Sequence, residues 1–453
     1  MNKSLECLQL KLPDDVEKCV MYGDFNKAEE LIDIYMKRNI SELLKKRLEY
    51  EKHIMKVFKE DYIYSFDEAF DMACDKIKDF TREELEELKD ERFADWVYIN
   101  GKVMFNRRFL GTVTSVCEKL SQRLIDVDEE SKKKQEVLYK TIDEIIEKGE
   151  KKYSIKVKAG IKLTEKASRK GEQIRVHIPI PKPAEQIKNI KILSTVPEKN
   201  FIAPEETSQR TIYFEKTVEG EDEFLVEYSY ENHIKYNVLD PSKVTKEQPT
   251  FYTDELSPHI TFTPFLKDLT KEIIGDESNS LLKARKIYDY ITKYVQYSFM
   301  RPYSTIVNIP EYAAYNLKGD CGVQALLFIT LCRIAGVPAR WQSGLYVNPY
   351  FIGCHDWAQF YIEPYGWLFA DLSFGGSAYR RGNTKVWNYY FGNLDPFRMV
   401  ANSDFQGDFT PDKKFFRIDP YDNQLGEAEY SDCGLCVGDF ESIKEIVEIH
   451  EKK

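Results

Sequence analysis

The chain has 453 residues, of which 42% are hydrophobic and 31% charged, and its formal net charge is −11. That length supports two or three domains, each with its own core. The acidic surplus argues against nucleic-acid binding and against docking on an anionic membrane. Lys3, Glu6 and Asp14 interrupt the first residues too early for an apolar signal segment, and no run of about 18 apolar residues occurs. A cytoplasmic location is therefore expected. The nine cysteines are scattered and read as reduced thiols. Cys433-Gly-Leu-Cys436 lacks a second ligand pair at zinc spacing, so no metal is expected there.

Residues 1–150 read as mainly helical. Stretches 28–36 and 43–52 place apolar residues near a 3.6-residue period. Ser65 and Thr81 each precede an acid by three residues, which predicts capped helix starts. Asn100-Gly101 sits between two apolar runs and predicts a hairpin turn. This region is a candidate lid or partner-binding element. From Tyr153 the pattern changes to alternation, as in Ile155-Lys-Val157-Lys-Ala159 and Ile174-Arg-Val176-His-Ile178. Short runs of this kind separated by turns predict an antiparallel β-sandwich over 151–245. A polar linker with Pro241 and Pro249 leads into a core segment at 246–410, which starts helical. Residues 411–453 read as a C-terminal extension.

The chemistry concentrates in the core. Cys321 to Ala335 is apolar on nearly every side, which predicts a buried helix, and Gly336 and Pro338 end it. Asp320 or Gly319 is its N-cap. Cys321 then lies in the first turn, where free N–H groups favour a thiolate and offer one arm of an oxyanion hole. Gly322 is expected to let a substrate backbone approach closely. Arg340 to Val347 reads as a strand. His355 begins another, Glu363-Pro-Tyr-Gly turns the chain, and Trp367 to Ser373 returns. Such a hairpin brings His355 near Asp371, the arrangement a Cys-His-Asp triad requires. Trp357 reads as packing. Residues 374–406, rich in Gly, Asn, Arg and aromatics, read as loops. They form either a substrate cleft or an irregular packed segment. Arg380 and Arg381 there could receive an anionic group.

Four motifs carry a resemblance: Gly319-Asp320-Cys321, Gly336-Val337-Pro338-Ala339-Arg340, His355-Asp356-Trp357 and Asp371-Leu372-Ser373. The stretch 280–375 resembles the transglutaminase-like superfamily, relatives of the papain-like cysteine hydrolases, with Ser373 where Thr is more usual. The preceding β-region resembles the sandwich found beside this core in many bacterial members. The resemblance implies an α+β fold: a papain-like core preceded by an antiparallel β-sandwich and an N-terminal helical region. It implies Cys321 as nucleophile, His355 as general base and acid, and Asp371 as the residue orienting His355. A second oxyanion donor would come from an upstream side chain, with Tyr303, Asn308 and Tyr315 as candidates. Trp357 and Arg380 are further cleft candidates. The implied reaction is amide-bond hydrolysis of a peptide or protein through a thioester, with no cofactor and no metal. A protein-glutamine acyltransferase and a catalytically silent interaction module are the alternatives.

Overall fold

The computed structural model describes residues 3–125 and 129–452. The N-terminal region is helical, with long helices at Glu42–Asp61 and Glu129–Lys148. Ser65 with Glu68 and Thr81 with Glu84 both form full capping boxes, as the spacing predicts. Asn100 and Gly101 have φ of 49° and 80°, the paired positive values of a tight hairpin turn. They join strands Trp96–Ile99 and Lys102–Asn106, and Tyr62–Tyr64 pairs with the second of these. Leu138, Ile142 and Ile145 carry the helix Glu129–Lys148 into the core shared by the rest of the molecule.

The sandwich consists of two four-stranded sheets. In the first, Glu150–Leu163 lies between Glu223–Lys235 and Phe440–Lys452. In the second, Gln173–Pro179 lies between Thr211–Thr217 and Glu427–Glu429. Ile155, Val157, Ile161 and Leu163 are buried on one side of the first sheet, with Ile174, Val176 and Ile178 buried in the second. Each such side chain contributes about 1.5–3 kcal/mol on burial. Residues 411–453, expected to form an extension, instead supply one strand to each sheet.

The core is an antiparallel five-stranded sheet in the order 391–392, 366–370, 351–362, 339–348, 398–402. Against it packs the helix Cys321–Ile334, in which every residue from Gly322 to Arg333 is buried. Asp320 caps it, its carboxylate accepting from Val323 N, and Gly336 ends it at φ 76°. The combination is α+β. Residues 374–406 correct the loop expectation, because helices Leu372–Arg380 and Thr384–Tyr389 occupy much of that stretch. Among the described residues, no helix is long and apolar enough to cross a membrane, and no group of three His, Cys, Asp or Glu could hold a metal ion.

Candidate active site

Three elements converge on the site: the N-terminus of the Cys321 helix, the strand Phe351–Ile362 carrying His355, and the end of the strand Gly366–Ala370, where Asp371 caps the helix Leu372–Arg380. His355 Nε2 lies 2.8 Å from Asp371 Oδ2. The other carboxylate oxygen, Oδ1, accepts from Phe374 N at 3.0 Å and from Ser373 Oγ at 3.2 Å. The Asp-x-Ser motif is thus a carboxylate held by its own helix cap, with the serine hydroxyl bonded to it. Phe374 packs on the His355 ring at 4.8 Å between centroids and Trp357 stacks at 6.0 Å.

Arg398 was not found by sequence reasoning. It is fully buried, with Nη1 3.0 Å from Asp371 Oδ2 and Nε 3.1 Å from Asp395 Oδ2. Burial pushes the Asp371 carboxyl up, but the charges of His355 and Arg398 more than offset it and hold the group down at about 2. Burial pushes His355 below its ordinary value. Asp371 opposes this and Arg398 reinforces it.

Cys321 is partly exposed, and its sulfur is bonded to Asp356 rather than to His355. Sγ donates to Asp356 Oδ2 at 3.3 Å. Burial pushes the thiol well above its ordinary value, and the nearby carboxyls of Asp356 and Asp320 push the same way. This corrects the expectation of a favoured thiolate. The helix N-terminus acts against desolvation and two acids, and desolvation and the acids win. Asp356 is itself pushed well up by burial and by Asp422 and Asp320. Its Oδ1 accepts from Gln424 Nε2 at 2.6 Å, and the same amide donates to the His355 carbonyl at 3.2 Å. Asp422 accepts from Ser343 and Asn402. The variable place of the His-x-Trp motif thus holds a side chain in contact with the Cys321 sulfur.

The remaining candidates fall out differently. Tyr303 Oη donates to Asp320 Oδ1 at 2.6 Å, so its one proton is already engaged. Asn308 caps the helix Ile309–Asn316 and donates to Thr261. Tyr315 is 62% exposed and packs on Tyr312. Trp357 is buried and donates to Gln342 Oε1 at 2.9 Å. Gly322 does not leave space for substrate: a Cβ there would meet Tyr303 Oη, with Asp356 Oδ2 at 2.6 Å and Trp341 at 2.9 Å. Its role is to let these side chains close on the helix start.

Tyr297 was missed. It pairs with Gly319 in a short parallel bridge of strands. It lines a cleft of about 680 Å³ together with His355, and burial pushes its hydroxyl well above the ordinary value. The signal lay in a two-residue strand pairing, which no periodicity reveals. Arg380 lines the same cleft, and Cys321 itself does not.

Residues 267–372 match the sequence profile of the family described as Transglutaminase-like superfamily. Among solved structures the chain is similar to a candidate cysteine protease from Cytophaga hutchinsonii, at 15% identity and a TM-score of 0.39, covering 67% of this chain and 90% of that one. It is also similar to the periplasmic domain of TgpA from Pseudomonas aeruginosa, at 13% identity and a TM-score of 0.29, covering 55% of this chain and 95% of that one. The comparison with curated proteins gives no match.

Proposed function

From the transglutaminase-like superfamily core that the chain carries over residues 267–372, we propose a cysteine-dependent amide-bond hydrolase acting on a peptide or protein through a thioester. The observation that carries this reading is the His355–Asp371 pair at 2.8 Å, clamped by buried Arg398 and facing a cleft. Nε2 is held by the carboxylate, which leaves Nδ1 as the basic nitrogen.

In the resting site the Cys321 thiol is bonded to Asp356 and the His355 imidazole to Asp371. For attack, Sγ exchanges Asp356 for His355. The thiol proton passes to Nδ1 as sulfur bonds the carbonyl carbon. The oxyanion is received by the Cys321 N–H at the start of the helix, the Val323 N–H being held by Asp320, and by the Tyr297 hydroxyl. The C–N bond then breaks, the imidazolium protonates the leaving amine, and a thioester remains. Water adds with His355 as base, releasing the carboxylate and restoring the thiol. We also place the protein in the cytoplasm, supported by its nine free cysteines.

The test is cleavage of quenched fluorogenic peptides, with intact-mass detection of an acyl group on Cys321. Turnover lost in Cys321→Ala and His355→Ala supports the reading. Turnover that survives Cys321→Ala overturns it. Added primary amine that diverts the product from acid to amide would instead indicate a protein-glutamine acyltransferase. One observation favours a second reading, a catalytically silent interaction module: the sulfur is bonded to a carboxyl rather than to His355. No turnover together with no acyl adduct would select it.

A further inference from the structure

The cleft at His355 is lined along one side by a single face of the helix Leu372–Arg380 and its end, namely Ser373, Phe374, Ser377, Arg380 and Arg381. Steps of one, three, three and one residues follow one helical stripe. The opposite wall comes from Glu129–Lys148 through Lys134, Gln135, Leu138 and Tyr139, again one helical face. The cleft is therefore a groove running away from the histidine, with aromatic rings and Lys134, which lies over Phe351, at one end and the two arginines at the other. From Ser373 to Arg380 the helix rises on the order of 10 Å, which spans about three residues of an extended peptide.

The charge in this groove runs against the rest of the molecule. The chain has a net charge of −11, yet no carboxylate lines the groove among the described residues, whereas Arg380, Arg381 and Lys134 do. Two acids on the flanking helices are already held: Asp143 by Lys385, and Asp289 by Arg285 and Lys293. Arg380 and Arg381 have no carboxylate partner among the described residues. Both guanidinium groups line the groove, and such forks bind carboxylates bidentately.

Resting on the hydrolase reading above, we propose that Arg380 and Arg381 form a specificity subsite for a carboxylate about three residues from the scissile bond of an extended peptide. Apolar groups pack near His355 against Phe374, Tyr346 and Tyr390, and the acid sits at the arginine end. The carboxylate is either an Asp or Glu side chain or the free C-terminus.

The test uses quenched fluorogenic decapeptides in which Glu, Gln or Lys is placed at one position at a time, each with a free and an amidated C-terminus. The wild type, Arg380→Gln/Arg381→Gln and Cys321→Ala are compared. The expected result is a Glu-over-Gln ratio in kcat/KM of about tenfold or more at one position, shrinking with salt and falling to near one in the double variant. A ratio within one variant is unaffected by its folded fraction. A preference for the free over the amidated terminus, without a Glu preference, assigns the subsite to the C-terminal carboxylate. Equal cleavage across the set by the wild type, or a preference that persists in the double variant, overturns the proposal. If the wild type cleaves nothing, the hydrolase reading fails by itself. Anisotropy binding of the labelled Glu and Gln peptides to Cys321→Ala then decides the subsite: tenfold tighter binding of Glu upholds it and equal binding overturns it.

Discussion

The thiol of Cys321 and the carboxyl of Asp356 stand 3.3 Å apart as donor and acceptor. A proton held between a thiol and a buried carboxyl is lost reluctantly from either. Each ionised form would face the other across a low-dielectric gap. In the proposed reaction the Cys321 thiol keeps its proton until Sγ exchanges Asp356 for His355.

The first prediction removes that acid. Asp356→Asn takes away one of the two carboxyls that raise the Cys321 thiol and keeps an amide oxygen for the sulfur. The thiol value falls, so alkylation of Cys321 by iodoacetamide at pH 8 speeds up, by about tenfold for each unit of fall. In the wild type, exposed Cys74 labels well before Cys321. Equal labelling of Cys321 in wild type and variant would show that burial alone holds the proton.

The second concerns Arg398, which joins Asp371 to Asp395 inside the protein. Arg398→Met leaves two buried carboxylates without their cation and costs about 3–5 kcal/mol of stability, read from urea midpoints. The sign of the effect on His355 follows from charge. Arg398 lowers the imidazole's value, so removing it raises that value. The acid limb of kcat/KM, which reports loss of the neutral base, then moves to higher pH. Arg398→Lys keeps the charge and loses the fork, so its acid limb stays near the wild type while stability falls partway.

The third concerns Asp419. Its Oδ1 accepts from Tyr421 N and Asp422 N, and burial with the neighbouring Asp422 pushes its carboxyl up to about 7. A carboxyl raised on folding binds its proton more tightly when folded. Its contribution is therefore full below the unfolded value near 3.9 and is lost as pH rises through about 7. Asp419→Asn keeps the acceptor oxygen and cannot ionise. Compared with the wild type, the variant gains stability between pH 5 and pH 8. Urea titrations at both pH values check this, and a difference that does not change with pH would place the charge elsewhere in the cluster.

How much of this was legible in the sequence follows from the range of each signal. The Cys321 helix, the His355 hairpin and the Asn100-Gly101 turn rest on neighbours in sequence, and all three are present. The helix Leu372–Arg380 was read as loop because Gly375 and Gly376 depress helix propensity. Gly375 is there because a Cβ would collide with the Tyr288 hydroxyl at the crossing with the helix Ser280–Tyr294. The strand Phe440–Lys452 is polar along most of its length, and its partner lies far away in sequence, at Glu150–Leu163. Nothing local marks it as part of the sandwich. Arg398 and Asp422 belong to the site only through tertiary contact, and no spacing announces them.

The last prediction tests how tightly the helix start is closed. Gly322→Ala would drive a Cβ into Tyr303 Oη, with Asp356 Oδ2 at 2.6 Å and Trp341 at 2.9 Å. Overpacking of this kind destabilises by about 1–3 kcal/mol. Tyr303→Phe removes the oxygen nearest the new methyl, at the expense of the bond to Asp320. If the clash is with that oxygen, the two changes are not additive. The double variant is more stable than the sum of the single losses predicts, with a coupling of about 0.5–3 kcal/mol. Urea midpoints of the four proteins give the cycle. Additive losses would move the clash to Asp356 or Trp341. In the Asp356 case, Gly322→Ala should also displace the carboxyl from the sulfur and speed labelling of Cys321 as Asp356→Asn does.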